Sequence, residues 1–204
     1  MKWWVIILLV AVVLAGWAIY STQRGSGAPQ LPNADEIVPG VASVEYRDTE
    51  YGFSIQYPEI ATTSPVNFEG YLPLTQTPLV SFVLPKSMYT GTNLVEAGVY
   101  IGATTSPGVL ARCLVMASNL GENGVGSATI NGAEFMVATS TDAGAGNFYE
   151  EKVYRRIQNG ACLEIVELLH SGNIGNYTPG TVVEFEKAKF SGYLDATVHT
   201  YKHI

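Results

Sequence analysis

Three histidines, two cysteines and a glycine-rich hairpin with one aspartate are the residues of this chain whose types and spacing could do chemistry. His199 and His203 stand four positions apart, and on a helix that spacing would put both imidazoles on one face, able to chelate a metal. No Glu occupies the H-E-x-x-H position and the spacing offers no third ligand. The expectation is therefore two solvated residues in a last helical turn, where a partial positive charge suits the helix dipole, and no metal. His170 precedes Ser171, but neighbours in a strand point to opposite faces and no orienting acid is evident, so they make no catalytic pair. No Gly-x-Ser-x-Gly run occurs. Carboxylates are plentiful, but a glycosidase pair would need two of them facing one cleft. The sequence therefore points to no enzyme.

Asp142-Ala143-Gly144-Ala145-Gly146-Asn147 joins two expected strands. Its glycines would let a backbone approach a ligand closely, and Asp142 could offer an oxygen to calcium. The alternating carboxylates of a calcium loop are missing. Asp142, Gly144, Gly146 and Asn147 are expected as part of a binding rim at one end of a sheet. Gly121 to Gly126 is not followed by a helical pattern, so it is no phosphate cradle, and no cofactor is expected. Lys152, Arg155 and Arg156, with Glu150 and Glu151 beside them, read as a solvated strand face of mixed charge. Cys113 and Cys162 would form a disulfide in an oxidising compartment, the alternative being two buried thiols. No CxxC exists, so a redox-active dithiol is not expected.

These residues need elements to hold them. Tyr51, Phe53, Ile55 and Tyr57 alternate with small or polar residues, the period of a half-buried strand that Pro58 ends. Leu79–Leu84 and Leu94–Thr104 read as strands, and Pro107 opens a short helix over 108–117. Asn131-Gly132 and Asn159-Gly160 are two strong hairpin turns. They pair 128–130 with 133–140 and 147–157 with 161–170. A terminal helix is expected over 181–200, with Phe190, Leu194, Val198 and Tyr201 forming one apolar stripe. The result is an α+β fold: an antiparallel sheet of about six or seven strands packed with two helices.

The run Tyr51-Gly52-Phe53-Ser54-Ile55-Gln56-Tyr57-Pro58 resembles the opening strand of PsbP-like domains, roughly Y-G-F-x-hydrophobic-x-Y-P. Glu59-Ile60-Ala61 follows where such chains usually carry a Trp. The stretches 131–135, 142–147 and 170–174 resemble segments of uncharacterised membrane-anchored envelope proteins of candidate-phylum bacteria. The resemblance implies an antiparallel sheet flanked by helices and a non-enzymatic assembly or binding role. It supplies no catalytic residues.

Compartment is read from residues 1–20. Trp3 to Tyr20 carries no charge, and as a helix it would cover about 27 Å, close to the ~30 Å hydrocarbon core. Trp3 and Trp4 at one end, and Trp17 and Tyr20 at the other, make two aromatic girdles, as a resident transmembrane anchor would. Lys2 before the helix orients residues 21–204 outside the cytoplasm. The alternative is a secretory signal cut after Ala18. Residues 21–42 are a Pro/Gly/Ser linker, and 43–204 one globular domain. The chain is acidic, with 11 Lys and Arg against 18 Asp and Glu and a formal charge of −7. That balance argues against nucleic acid and anionic lipid as partners. The expected partners are the membrane, through the anchor, and an envelope protein.

Overall fold

The computed structural model describes residues 37–66, 69–116 and 123–204. The expected anchor residues Trp3, Trp4, Trp17 and Tyr20 lie outside them, as does the linker up to residue 36. No helix among the described residues is long and apolar enough to cross a membrane. Packing begins ahead of the first strand: Ile37 and Val38 are buried against Ala196.

The fold is an α+β arrangement with two antiparallel sheets where the sequence suggested one. β1 (Ser43–Asp48) and β2 (Phe53–Pro58) form a hairpin. Its turn is tied by the Tyr51 N–H donating to Asp48 Oδ1 at 2.8 Å. Tyr51 and Gly52 belong to that turn and not to the strand. A two-residue strand far along the chain, β10 (Lys202–His203), completes this small sheet on the other side of β2.

The large sheet runs β3 (Thr62–Ser64), β4 (Pro78–Val83), β5 (Leu94–Thr104), β9 (Ala161–Gly172), β8 (Asn147–Gln158), β7 (Ala133–Gly144) and β6 (Asn123–Ile130), all antiparallel. Asn131-Gly132 and Asn159-Gly160 both have positive φ at both positions, as two-residue turns matching the strand twist require. A third such turn is Ala145-Gly146, with φ of 50° and 79°. Gly144 pairs with Asn147 across it, so β7 and β8 run to the turn and leave no flexible loop there.

β9 is central, and its residues are buried on both faces. One face carries Val99, Ile101, Phe135, Ile165 and Leu169. The small sheet and helix α2 (Lys187–His199) pack on it through Phe53, Ile55, Phe190, Leu194, Val198 and Tyr201. The expected apolar stripe of that helix is buried in full. The opposite face holds Tyr100, Val153, Val166 and Leu168 under Leu72. It also carries the Cys113–Cys162 disulfide, packed with Leu74 and with Val109 and Leu110, the latter two from or beside the one-turn helix α1 (Pro107–Leu110).

Three local readings are corrected. The terminal helix starts at Lys187, not near 181. Residues around Val183 are instead extended: the Val183 N–H donates to the Gly91 carbonyl and its own carbonyl accepts from Asn93 N, each at 3.0 Å. β-branched Thr181, Val182 and Val183 suit that conformation. The helix after Pro107 is one turn long and does not extend over 108–117. Lys152, Arg155 and Arg156 do not share a solvated face: alternation along β8 sends Arg155 inward, where it is 0 % exposed and ion-paired with Glu164.

Candidate functional site

Registration of β7, β8 and β9 builds a wall at the Ala145-Gly146 end of the large sheet. Ala143, Phe148 and Ser171 lie in one cross-strand row, and Thr141, Glu150 and Leu169 in the next. Residues directly opposite in antiparallel strands face the same side, so Phe148 and Ser171 look out together. The segment leading into α2 crosses in front of them. Asn93, buried on β5's approach, fastens it: its Nδ2 donates to the Gly172 carbonyl at 2.8 Å, and its Oδ1 accepts from Phe185 N at 3.0 Å. Between wall and segment lies an open cavity of about 700 Å³, bordered by Thr141, Phe148, Ser171, Asn173, Phe185 and Lys187 among others. Phe148 is 42 % exposed, a large apolar ring left uncovered at the mouth. Lys187 is ion-paired with Glu150 at the side. Asp142 and Glu184 add carboxylates to the rim. Aromatic surface with hydroxyl, carboxamide and charged groups around it can hold a ligand and orient it.

A second hollow of about 290 Å³ shares Thr141, Glu150 and Lys187 with the first and reaches α2. Its base is a cluster that distant parts of the chain bring together. Tyr154 Oη donates to Glu167 Oε1 at 2.8 Å and lies 3.4 Å from Asp195 Oδ1, and Lys152 Nζ pairs with that same oxygen at 2.5 Å. Burial, reinforced by the Asp195 charge and opposed by Lys152, pushes the Glu167 carboxyl from 4.5 up to about 8. Burial and the same two carboxylates also raise Tyr154. The unfolded chain releases the Glu167 proton near 4.5, and the folded chain keeps it until about 8. This group's stabilisation is therefore complete below 4.5 and lost as pH rises through 8. Glu167→Gln, which mimics the neutral carboxyl, should flatten the fall in stability across that window, measured by denaturant midpoints at several pH values. An unchanged slope in the variant would refute the assignment.

The residues singled out from sequence are distributed as follows. Asp142 borders the large cavity, and its Oδ1 accepts from Ala143 N at 2.8 Å. It is registered opposite Tyr149, which puts its side chain on the other face. Gly144, Gly146 and Asn147 shape the hairpin and do not line the cavity. The Gly146 carbonyl accepts from Asn173 N at 2.8 Å, and Asn147 Oδ1 lies 2.9 Å from His170 Nε2. His170 stacks on Tyr149 with centroids 4.3 Å apart, and burial lowers its pKa. Ser171 opens on the cavity side, so the two neighbours do point apart. His199 ends α2 while His203 is in β10, so they share no helix face. Their Nδ1 atoms contact the carbonyls of Asp195 and Gly52. Among the described residues no group of three or more His, Cys, Asp or Glu could hold a metal. The cysteines are bridged.

Phe148, Phe185, Lys187 and the Glu167–Asp195 cluster were not anticipated. The alternation of Phe148 and Glu150 with Tyr149 was a visible signal for one wall. Nothing local marked residues 184–187 as the other.

Two solved structures are similar in outline. One is a crystal structure of a protein from Bacteroides thetaiotaomicron VPI-5482, with TM-score 0.41 and 14 % identity over 78 % of this chain and 48 % of that one. The chain thus spans about half of that protein's length. The other is LpqN of Mycobacterium tuberculosis, described as involved in cell envelope biogenesis, with TM-score 0.45 and 11 % identity over 80 % of this chain and 91 % of that one. No family model matches the chain, and no curated protein matches it significantly.

Proposed function

We propose that this chain is a non-catalytic binding or assembly module of the cell envelope, held outside the cytoplasm by residues 1–20, with its ligand or partner engaging the cavity in front of Phe148. The observation that carries this reading is the cavity itself: about 700 Å³, open, with an uncovered aromatic ring at its mouth and a rim of hydroxyl, carboxamide and charged groups that includes Asp142, Glu184 and the Lys187–Glu150 pair. Such sites bury apolar ligand surface and use a few polar groups for orientation. The buried disulfide supports an oxidising compartment. The resemblance of Tyr51–Pro58 to PsbP-like domains supports an assembly role.

A hydrolytic reading would draw on Glu167, whose carboxyl burial keeps protonated, and on Asp195 beside it at the base of the adjoining hollow. Their partners favour a structural role instead, since Asp195 is spent on Lys152 and Glu167 is buried against Tyr154.

The full chain, purified from native membranes in a neutral detergent, should carry a bound species visible by native mass spectrometry. Thr141→Trp, which places a bulky ring in the cavity at an exposed strand position, should remove it at least tenfold. Turnover of a hydrolase substrate that disappears in Glu167→Gln would overturn the non-catalytic reading.

A further inference from the structure

β6 ends the large sheet, and among the described residues its backbone ladder runs on one side only, to β7. A bare strand edge is a row of unpaired N–H and C=O groups, and proteins blunt such edges with charge, proline, brevity or a bulge. The other edge strands among the described residues are blunted by the first three. β1 carries Glu45, Arg47 and Asp48, β3 is three residues long and stops at Pro65, and β10 is two residues that include Lys202. In β6, Asn123–Ile130 contains no charge and no proline. Its irregularity lies between Asn123 and Gly126, which leaves Gly126 to Ile130 in unbroken register.

The outward groups of this edge follow from the turn. Ile130 and Ala133 close Asn131-Gly132, and the pair flanking a two-residue turn is hydrogen-bonded. Alternation then makes Ile130, Ala128 and Gly126 bond inward to β7, while Ser127 and Thr129 aim their N–H and C=O outward. Both are exposed, and Ala128 between them is half-buried.

These groups are self-complementary. When two β6 strands pair antiparallel, Ser127 of one copy stands opposite Thr129 of the other, and each such pair exchanges both its bonds. Ala128 then meets the second Ala128 on the two-fold axis, at a non-hydrogen-bonded position where Cα atoms are about 4.5 Å apart. A small side chain suits that approach. In the flanking rows Gly126, with nothing within 4 Å of where its Cβ would stand, faces Ile130 of the other copy. Ala128 continues the row of Phe135 and Gly126 that of Val137, so apolar surface meets apolar surface. On the other face of the sheet the Ser127 and Thr129 hydroxyls lie side by side. Chains of formal charge −7 repel one another, and this register sets no carboxylate directly opposite another.

We propose that β6 is a docking edge for a second copy of this chain, joining two large sheets into one through antiparallel β6 pairing centred on Ala128. None of residues 126–130 lines the cavity in front of Phe148, so the pairing stands or falls independently of what that cavity holds.

The full chain in neutral detergent should sediment as a concentration-dependent monomer–dimer equilibrium. Thr129→Pro removes an outward N–H and leaves the β6–β7 bonds intact, so it should weaken dimerisation at least tenfold with thermal unfolding unchanged. Register is read by mild oxidation with copper phenanthroline. Ala128→Cys should form a covalent dimer, because Cα atoms paired on the axis lie within disulfide reach. Thr129→Cys should form at least tenfold less, since its counterpart is displaced diagonally by about 7–8 Å. The two cysteine variants decide the register whether or not the proline variant folds. A dimer undiminished in Thr129→Pro, equal cross-linking at the two positions, or a chain that stays monomeric up to about 500 µM would overturn the proposal. So would Ala128→Cys cross-linking in native membranes to a different protein and not to itself, which would give the edge to another partner.

Discussion

Glu164→Leu should lower the unfolding free energy by about 3–5 kcal/mol, the usual cost of stripping one partner from a buried ion pair. Arg155 Nε donates to Glu164 Oε1 at 2.7 Å, and both side chains are 0 % exposed. The carboxylate is also the acceptor that holds the segment over this face. Thr75 donates to it through its backbone N–H at 2.8 Å and through Oγ1 at 2.9 Å, and Leu74 N at 3.3 Å. Losing it removes the counter-charge of Arg155 and orphans those donors together. The double variant Arg155→Met/Glu164→Leu should recover part of the loss, because the buried cation that lost this carboxylate is gone while the Leu74 and Thr75 donors remain unsatisfied. Denaturant unfolding of the two variants checks both statements. A single-variant loss below about 1 kcal/mol would place the pair among weakly contributing surface bridges and refute the account.

The second large effect belongs to the disulfide. Cys113 and Cys162 are 49 residues apart, and a cross-link of that span is expected to contribute about 4 kcal/mol, chiefly by restricting the unfolded chain. Cys113→Ala/Cys162→Ala should lower stability by that amount. Both sulfurs are buried under Leu74, Val109 and Leu110, so a reductant should reach them only when α1 lifts away. Alkylation in dithiothreitol, followed by mass, should therefore lag far behind that of the denatured chain. Labelling as fast in the folded protein would contradict the packing.

Legibility from sequence followed local chemistry. Asn131-Gly132 and Asn159-Gly160 were readable because Asn and Gly tolerate positive φ. Ala145-Gly146 adopts the same turn, but alanine announces no such preference, so the reading ends β7 at 140 where the strand runs on to Gly144. The helix stripe Phe190, Leu194, Val198 and Tyr201 was legible by period. The start of that helix was not, because residues 181–186 are held by contacts with residues 91–93, which no local pattern reveals. The basic run on β8 was misread for a similar reason. Composition shows charge, but only the pleat decides that Arg155 turns toward Glu164 and Arg156 toward Phe135 and Tyr201. At the site, Asp142 lay near the right place on the chain. The opposite wall comes from some 40 residues later, beyond the reach of any spacing argument.

The pairing of β10 with β2 has a consequence for the order of synthesis. Lys202 and His203 bond to Ser54 and Phe53, so a strand made among the first of the domain acquires its second neighbour from residues made among the last. Through most of translation one edge of β2 has nothing to pair with, and Tyr201 is not yet there to stack on Phe53. Closure of the small sheet is thereby a late event, one that waits until both ends of the domain are present together.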